Sequence, residues 1–147
     1  MIVPSDPRAA SPGAGDSVTL VVDGNNVMGS RPDGWWRDRA GAARRLLARV
    51  QCHAAQLDHP VVVVFDVPLP DVPEGEHGGV TVRYGRRPGR DSADDRIIGD
   101  LQADSDAGGG RVELVTSDRA LASRARAQGA VVTGSGAFLA LLDRTGC

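Results

Sequence analysis

Val18-Thr-Leu-Val-Val-Asp-Gly-Asn-Asn-Val-Met28 decides how the rest of the chain reads. Residues 18–22 form an apolar run suited to a buried strand, and Asp23 stands where that strand stops. Ligands of open α/β sheets sit outside the carboxyl ends of the strands, so an Asp-Gly-Asn-Asn turn delivered there has the character of a site. The pattern recurs twice: residues 61–65 (Val-Val-Val-Val-Phe) run into Asp66, and residues 112–117 (Val-Glu-Leu-Val-Thr-Ser) run into Asp118.

Outward from these strands, the chain alternates. Residues 35–57 carry Ala43, Leu46, Leu47, Val50, Ala54 and Leu57 at spacings of three and four, which predicts an amphipathic helix with Arg44, Arg45 and Arg49 mostly off the stripe. Of Trp35 and Trp36, one is expected to be partly exposed. The stretch with Pro68, Pro70 and Pro73 reads as an irregular loop in which His77 is a surface residue, and residues 80–84 alternate like a half-exposed edge strand. A helix follows, capped by Asp91 or Ser92 and buried through Ile97, Ile98 and Leu101. Then come the strand ending at Asp118, a helix over 119–128 closed by Gly129, a short strand at 131–133 and a last helix capped by Ser135 and running through Leu142. This order predicts an α/β fold of three layers, with a mostly parallel sheet of about five strands and helices on both faces.

A length of 147 residues with 41% hydrophobic positions suits one domain, expected over 17–147, after a disordered lead-in over 1–16 rich in Pro, Ala, Gly and Ser. The net charge of −2 gives no global basic field, so a polyanion has to be held by local patches. All 17 basic residues are arginine, which excludes Schiff-base and P-loop chemistry, both of which need lysine. Cys52 and Cys147 stand in no metal-ligand spacing, no run of residues is long enough to cross a membrane, and a reduced, cytoplasmic protein is the expectation. The sequence leaves the oligomeric state open, a monomer being the simpler expectation.

In this fold Asp23, Asp94, Asp95 and Asp118, with Asp66 near, meet at the carboxyl edge of the sheet. Clustered carboxylates repel and raise one another's pKa unless a cation neutralises them. Oxygen ligands without Cys or His point to Mg²⁺ or Mn²⁺, ions that such sites present to phosphate oxygens. Arg83, Arg86, Arg87 and Arg90 place four arginines within eight residues without an acid, a run suited to a phosphate backbone.

The segments Val-Val-Asp-Gly-Asn-Asn-Val (21–27), Val-Val-Phe-Asp (63–66), Ser-Ala-Asp-Asp-Arg-Ile (92–97), Val-Thr-Ser-Asp (115–118) and Gly-Ala-Phe-Leu (136–139) occur in an order that resembles the NYN domains of the PIN-like nuclease superfamily, within them the YacP-like branch. The resemblance implies a PIN-like fold and a metal-dependent endoribonuclease, with Asp23, Asp94 and Asp118 at the metal and Asn26 beside them. It implies an RNA partner, single-stranded or ribosome-associated. Haloacid-dehalogenase phosphatases and response-regulator receivers, which also gather aspartates at a sheet edge, lean on a lysine that this chain lacks. The rival reading is a non-catalytic RNA- or ribosome-binding module with the same fold.

Overall fold

A computed structural model of the chain describes residues 17–89 and 91–147; the expected lead-in over 1–16 and the expected contact at Arg90 lie outside the described residues. The elements are β1 (Val18–Asp23), α1 (Gly24–Met28), a 3₁₀ turn (Trp35–Arg37), α2 (Arg39–Ala54), β2 (Val61–Phe65), β3 (Gly75–His77), β4 (Val80–Tyr84), α3 (Ser92–Asp106), β5 (Arg111–Val115), α4 (Arg119–Ala127), β6 (Val131–Thr133) and α5 (Ser135–Arg144). They build one six-stranded sheet of order β3-β4-β2-β1-β5-β6, in which only the β3–β4 pairing is antiparallel.

The fold is the expected α/β sandwich of three layers. One face of the sheet packs α2 and α5, whose Leu46, Leu47, Val50, Phe138 and Leu142 meet Leu20, Val22, Val63 and Val82. The other packs α3 and α4, whose Ile97, Leu101, Leu121 and Ala125 meet Val62, Val64, Val112 and Leu114. β2 is buried along its whole length because it lies between neighbours and under both layers.

Four details differ from the sequence reading. Residues 80–84 are not the edge: β3 pairs outside them, inside the stretch that reads as an irregular loop, and Gly75–His77 is too short for its alternation to show. The helix expected over 35–57 is interrupted at Asp38, whose Oδ1 accepts a hydrogen bond from Gly41 N at 2.9 Å and restarts the chain as α2. Neither Asp91 nor Ser92 caps α3 with its side chain; Asp66 does so from the end of β2, its Oδ1 accepting from Ala93 N at 2.8 Å. Cys52 on α2 and Cys147 are joined in a disulfide, not left as thiols, because the C-terminus folds back over α2, where Arg49 Nε donates to Cys147 O at 2.8 Å. No helix among the described residues is long and apolar enough to cross a membrane.

The chain runs β1 to β2 to β4 in one direction across the sheet and then crosses back to β5 and β6. The strand order therefore reverses between β1 and β5, and at such a switch point the loops diverge and leave a crevice at the carboxyl ends. Asp23 ends the first of these strands and Asp118 follows the second.

Candidate active site

Asp23, only 3% exposed, is held by the strand beside it: Thr116 Oγ1, just past β5, donates to Asp23 Oδ2 at 2.8 Å. The same hydroxyl accepts from Asp118 N at 3.1 Å, so one threonine fixes the two acids of the switch point relative to each other. Gly24 follows because there is no room for a side chain; a Cβ would lie 2.5 Å from Phe65 Cε1. The chain can then turn directly into α1 and place two asparagines over the ends of its neighbours. Asn25 Oδ1 accepts from Asp66 N at 2.7 Å, and Asn26 Oδ1 accepts from Ser117 N at 2.7 Å and from Ser135 Oγ at 2.6 Å. Asp-Gly-Asn-Asn thus clamps the carboxyl ends of β1, β2 and β5 and the start of α5.

Two further acids are set by helix starts. Asp118 is the N-cap of α4, its Oδ1 accepting from Leu121 N at 3.0 Å, and Asp66 caps α3 as described. Each uses Oδ1 in this way, which leaves Oδ2 outside the cap bond. Asp94 lies in the first turn of α3, half-buried, beside the same edge.

Among the described residues, the charge at this edge is compensated by no direct ion pair. Burial pushes the Asp23 carboxyl up to about 7, against the hydrogen bond from Thr116, and the charges of Asp94, Asp66 and Asp118 push it the same way. Burial also raises Asp94 to about 6, helped by Asp118, Asp91 and Asp66 and opposed by Arg124. Among the described residues no arginine forms an ion pair with Asp23, Asp66, Asp94 or Asp118. Among the same residues, no three His, Cys, Asp or Glu side chains form a ready metal cage. The donor set nonetheless fits Mg²⁺ or Mn²⁺ in kind: hard oxygens, excess negative charge, and an ion that takes one or two protein carboxylates and completes its shell with water and phosphate.

The remaining residues singled out in the sequence lie elsewhere. Asp95 faces arginines, pairing with Arg87 and, at 3.5 Å, with Arg124. Arg83 donates to Asp100 Oδ2 at 2.8 Å and so belongs to the underside of α3, while Arg86 and Arg87 are exposed in the loop after β4. Thr116 and Asn25 go unmarked in the sequence reading, though Thr in Val-Thr-Ser-Asp and the paired asparagines are available signals; Ser135, expected as the cap of the last helix, is instead its first residue, with Gly134 at the cap and the Ser135 hydroxyl given to Asn26. Arg96 was also missed; it joins Glu74, Asp100 and the Tyr84 carbonyl.

Comparison with known proteins agrees with this architecture. Two solved structures from Bacillus subtilis, both described as Rae1 (YacP), superpose on the chain. The first, a tryptophan-to-leucine variant, does so with a TM-score of 0.69 at 23% identity over 86% of this chain and 75% of its own. The second gives 0.68 at 24% identity over 86% and 74%. At that identity they establish a shared fold. No curated protein matches the sequence. The model of the YacP-like NYN domain matches residues 20–146, from the strand that delivers Asp23 to the end of the last helix, and the chain belongs to that family.

Proposed function

We propose that the protein is a metal-dependent endoribonuclease that hydrolyses RNA phosphodiester bonds at the carboxyl edge of β1 and β5. The observation that carries this reading is the buried Asp23 beside Asp94, both acids pushed above the usual carboxylate range and, among the described residues, neither in an ion pair with an arginine. Gathering such charge costs stability, a cost that a bound cation would offset. Mg²⁺ or Mn²⁺ bound there supplies positive charge to a phosphate oxygen and lowers the pKa of a coordinated water.

Asp23, Asp94 and Asp118 are the proposed acids of the metal site, one or two of them in direct contact with the ion and the rest acting through its water shell. Thr116 occupies one oxygen of Asp23, so the other is the one directed to the ion. Asp66 holds the first turn of α3, which carries Asp94, and contributes charge to the site; Asp95 is assigned to the orientation of Arg87 and Arg124, not to the metal. Asn26 keeps Ser117 and Ser135 in place, so Asp118 starts α4 in a fixed position. Arg86 and Arg87 are the proposed contacts to the RNA backbone. The substrate is single-stranded RNA, free or presented on the ribosome.

Purified native protein and Asp94→Asn, assayed on single-stranded RNA with Mn²⁺, Mg²⁺ or EDTA, test the proposal. Metal-stimulated cleavage by the native protein alone is expected. Equal cleavage by both proteins would remove the site, and RNA bound but left intact by both would instead identify a binding module.

A further inference from the structure

A second concavity adjoins the acidic edge. A cleft of about 460 Å³ opens between the N-terminal half of α2 and the loop after β2, and Asn25 and Asp66 belong to its wall as well as to the edge. Its volume lies within the range of ligand clefts, roughly 300–1,000 Å³. The walls are apolar: Met28, Ala43, Phe65 and Leu69 are buried side chains that end at its surface, and Val67 on the rim is 65% exposed. At the rim, too, is Arg39, whose guanidinium lies 5.3 Å from the centre of the Trp35 ring. Apolar surface left open to water is unfavourable in proportion to its area.

We propose that this cleft holds the unpaired nucleobase of the nucleotide next to the cleaved phosphodiester, an inference that rests on the RNA reading above. Three features select a base over another apolar group. A nucleotide is the ligand that joins a flat apolar body to an anion, and the cleft joins apolar walls to a site built for a phosphate-bound cation through the shared Asn25 and Asp66. Arg39 brings a cation to the rim, where a base or its phosphate meets a guanidinium favourably. Asn25 Oδ1 is already taken by Asp66 N at 2.7 Å, so its amide nitrogen is the group left to donate to a ring nitrogen or carbonyl of the base. The cleft then sets which nucleotide lies beside the scissile bond, through its fit to the base and not to the backbone.

Methyl NMR on the full chain separates the cleft from the chemistry. Millimolar uridine and adenosine 5′-monophosphates should shift the methyl signals of Met28, Ala40, Ala43 and Leu69, whereas ribose 5-phosphate should leave them unmoved. Ala40→Phe, which fills the cleft from α2, should abolish those shifts; if it does not fold, Arg39→Gln should weaken them. In cleavage assays, an RNA with one abasic position scanned along it should lose on the order of tenfold in rate at a single register relative to the cut, the loss expected for one base-stacking contact. Equal shifts with ribose 5-phosphate, or cleavage with the methyls unmoved and no sensitive register, would overturn the base site while leaving the nuclease intact. Nucleotide-specific shifts without RNA cleavage under any metal would keep the base site and remove the nuclease reading.

Discussion

Asp94, Asp95 and Arg96 are consecutive residues in the first turns of α3, and each belongs to a different electrostatic world. A helix turns about 100° per residue, so three neighbours along the chain face three directions. Arg96, whose side chain is only 10% exposed, donates to Glu74 Oε2 and to the Tyr84 carbonyl, both at 2.9 Å, and to Asp100 Oδ2 at 3.3 Å. There every charge has a partner, and the hydrogen bond from Arg96 holds the Glu74 carboxyl below its usual range. Asp94 faces the opposite condition: burial and three other aspartates hold its carboxyl up at about 6. Matched charges on one side of α3 stabilise the fold, and on the other the charges of Asp94 and its neighbours repel one another.

The largest expected effect falls on the unmatched side. Asp94→Asn is nearly isosteric and leaves the apolar stripe of α3 untouched, so metal-stimulated RNA cleavage should fall by about 10²-fold or more while the fold survives. Cleavage within a few-fold of native would place Asp94 with the structural charges. On the matched side the expected loss is in stability. Arg96→Met removes the guanidinium from Glu74 and from the Tyr84 carbonyl and leaves Asp100 with Arg83 alone, and urea unfolding should show a loss of about 2 kcal/mol, a discount on a fully buried pair because Glu74 is partly exposed and Asp100 keeps a partner. An unchanged unfolding midpoint would mean that this cluster does not hold α3 against β4.

The same contrast has a pH signature. Asp23 has a folded pKa of about 7 against an ordinary 3.8, so between those values the folded state binds the extra proton. Its contribution to stability is therefore fully present below about pH 4 and is lost as pH rises through 7. Metal-free protein should weaken over that window, and Asp23→Asn should flatten the decline and raise metal-free stability at pH 8 by about 1–3 kcal/mol. Mn²⁺ should stabilise the native protein at pH 8 and hardly affect Asp23→Asn. A native protein whose stability is flat from pH 4 to 8 would contradict an uncompensated Asp23.

What the sequence showed and what it hid follow from the range of the interactions. β1, β2 and β5 were legible because apolar runs ending in aspartate are local, and so were the stripes of α2 and α3. β3 was not, because Gly75–His77 is a strand only by virtue of its pairing with β4. The sequence points to Asp91 or Ser92 as the cap on α3, since a cap 27 residues away leaves no mark near the helix it caps. The Cys52–Cys147 bond spans 95 residues and has no local signal either. In the site, the acids could be read as strand endings, whereas Thr116 acquires its role only when β5 lies beside β1. The arginines were the hardest to sort, because an arginine that pairs inward and one that faces solvent look alike in a sequence.

That last ambiguity gives the smallest expected effect and the finest division between the two sides of α3. Arg83 is bound to Asp100 at 2.8 Å and counts among the matched charges, while Arg86 and Arg87 are exposed beyond the end of β4. If only the exposed pair meets RNA, Arg86→Ala with Arg87→Ala should reduce the slope of log binding constant against log salt by about 1.4, at about 0.7 per phosphate contact on a single strand. Stability should move by no more than about 0.5 kcal/mol, since surface pairs such as Arg87 with Asp95 contribute little. Arg83→Ala should do the reverse, lowering stability because Asp100 then has Arg96 as its one remaining arginine among the described residues, and leaving the salt slope at its native value. Fluorescence anisotropy with a single-stranded oligoribonucleotide in EDTA, from low to moderate salt, reads the slope without cleavage. A slope that falls equally in Arg83→Ala would join all three arginines into one RNA track, and a slope unchanged in the double variant would return the loop to ordinary solvated surface.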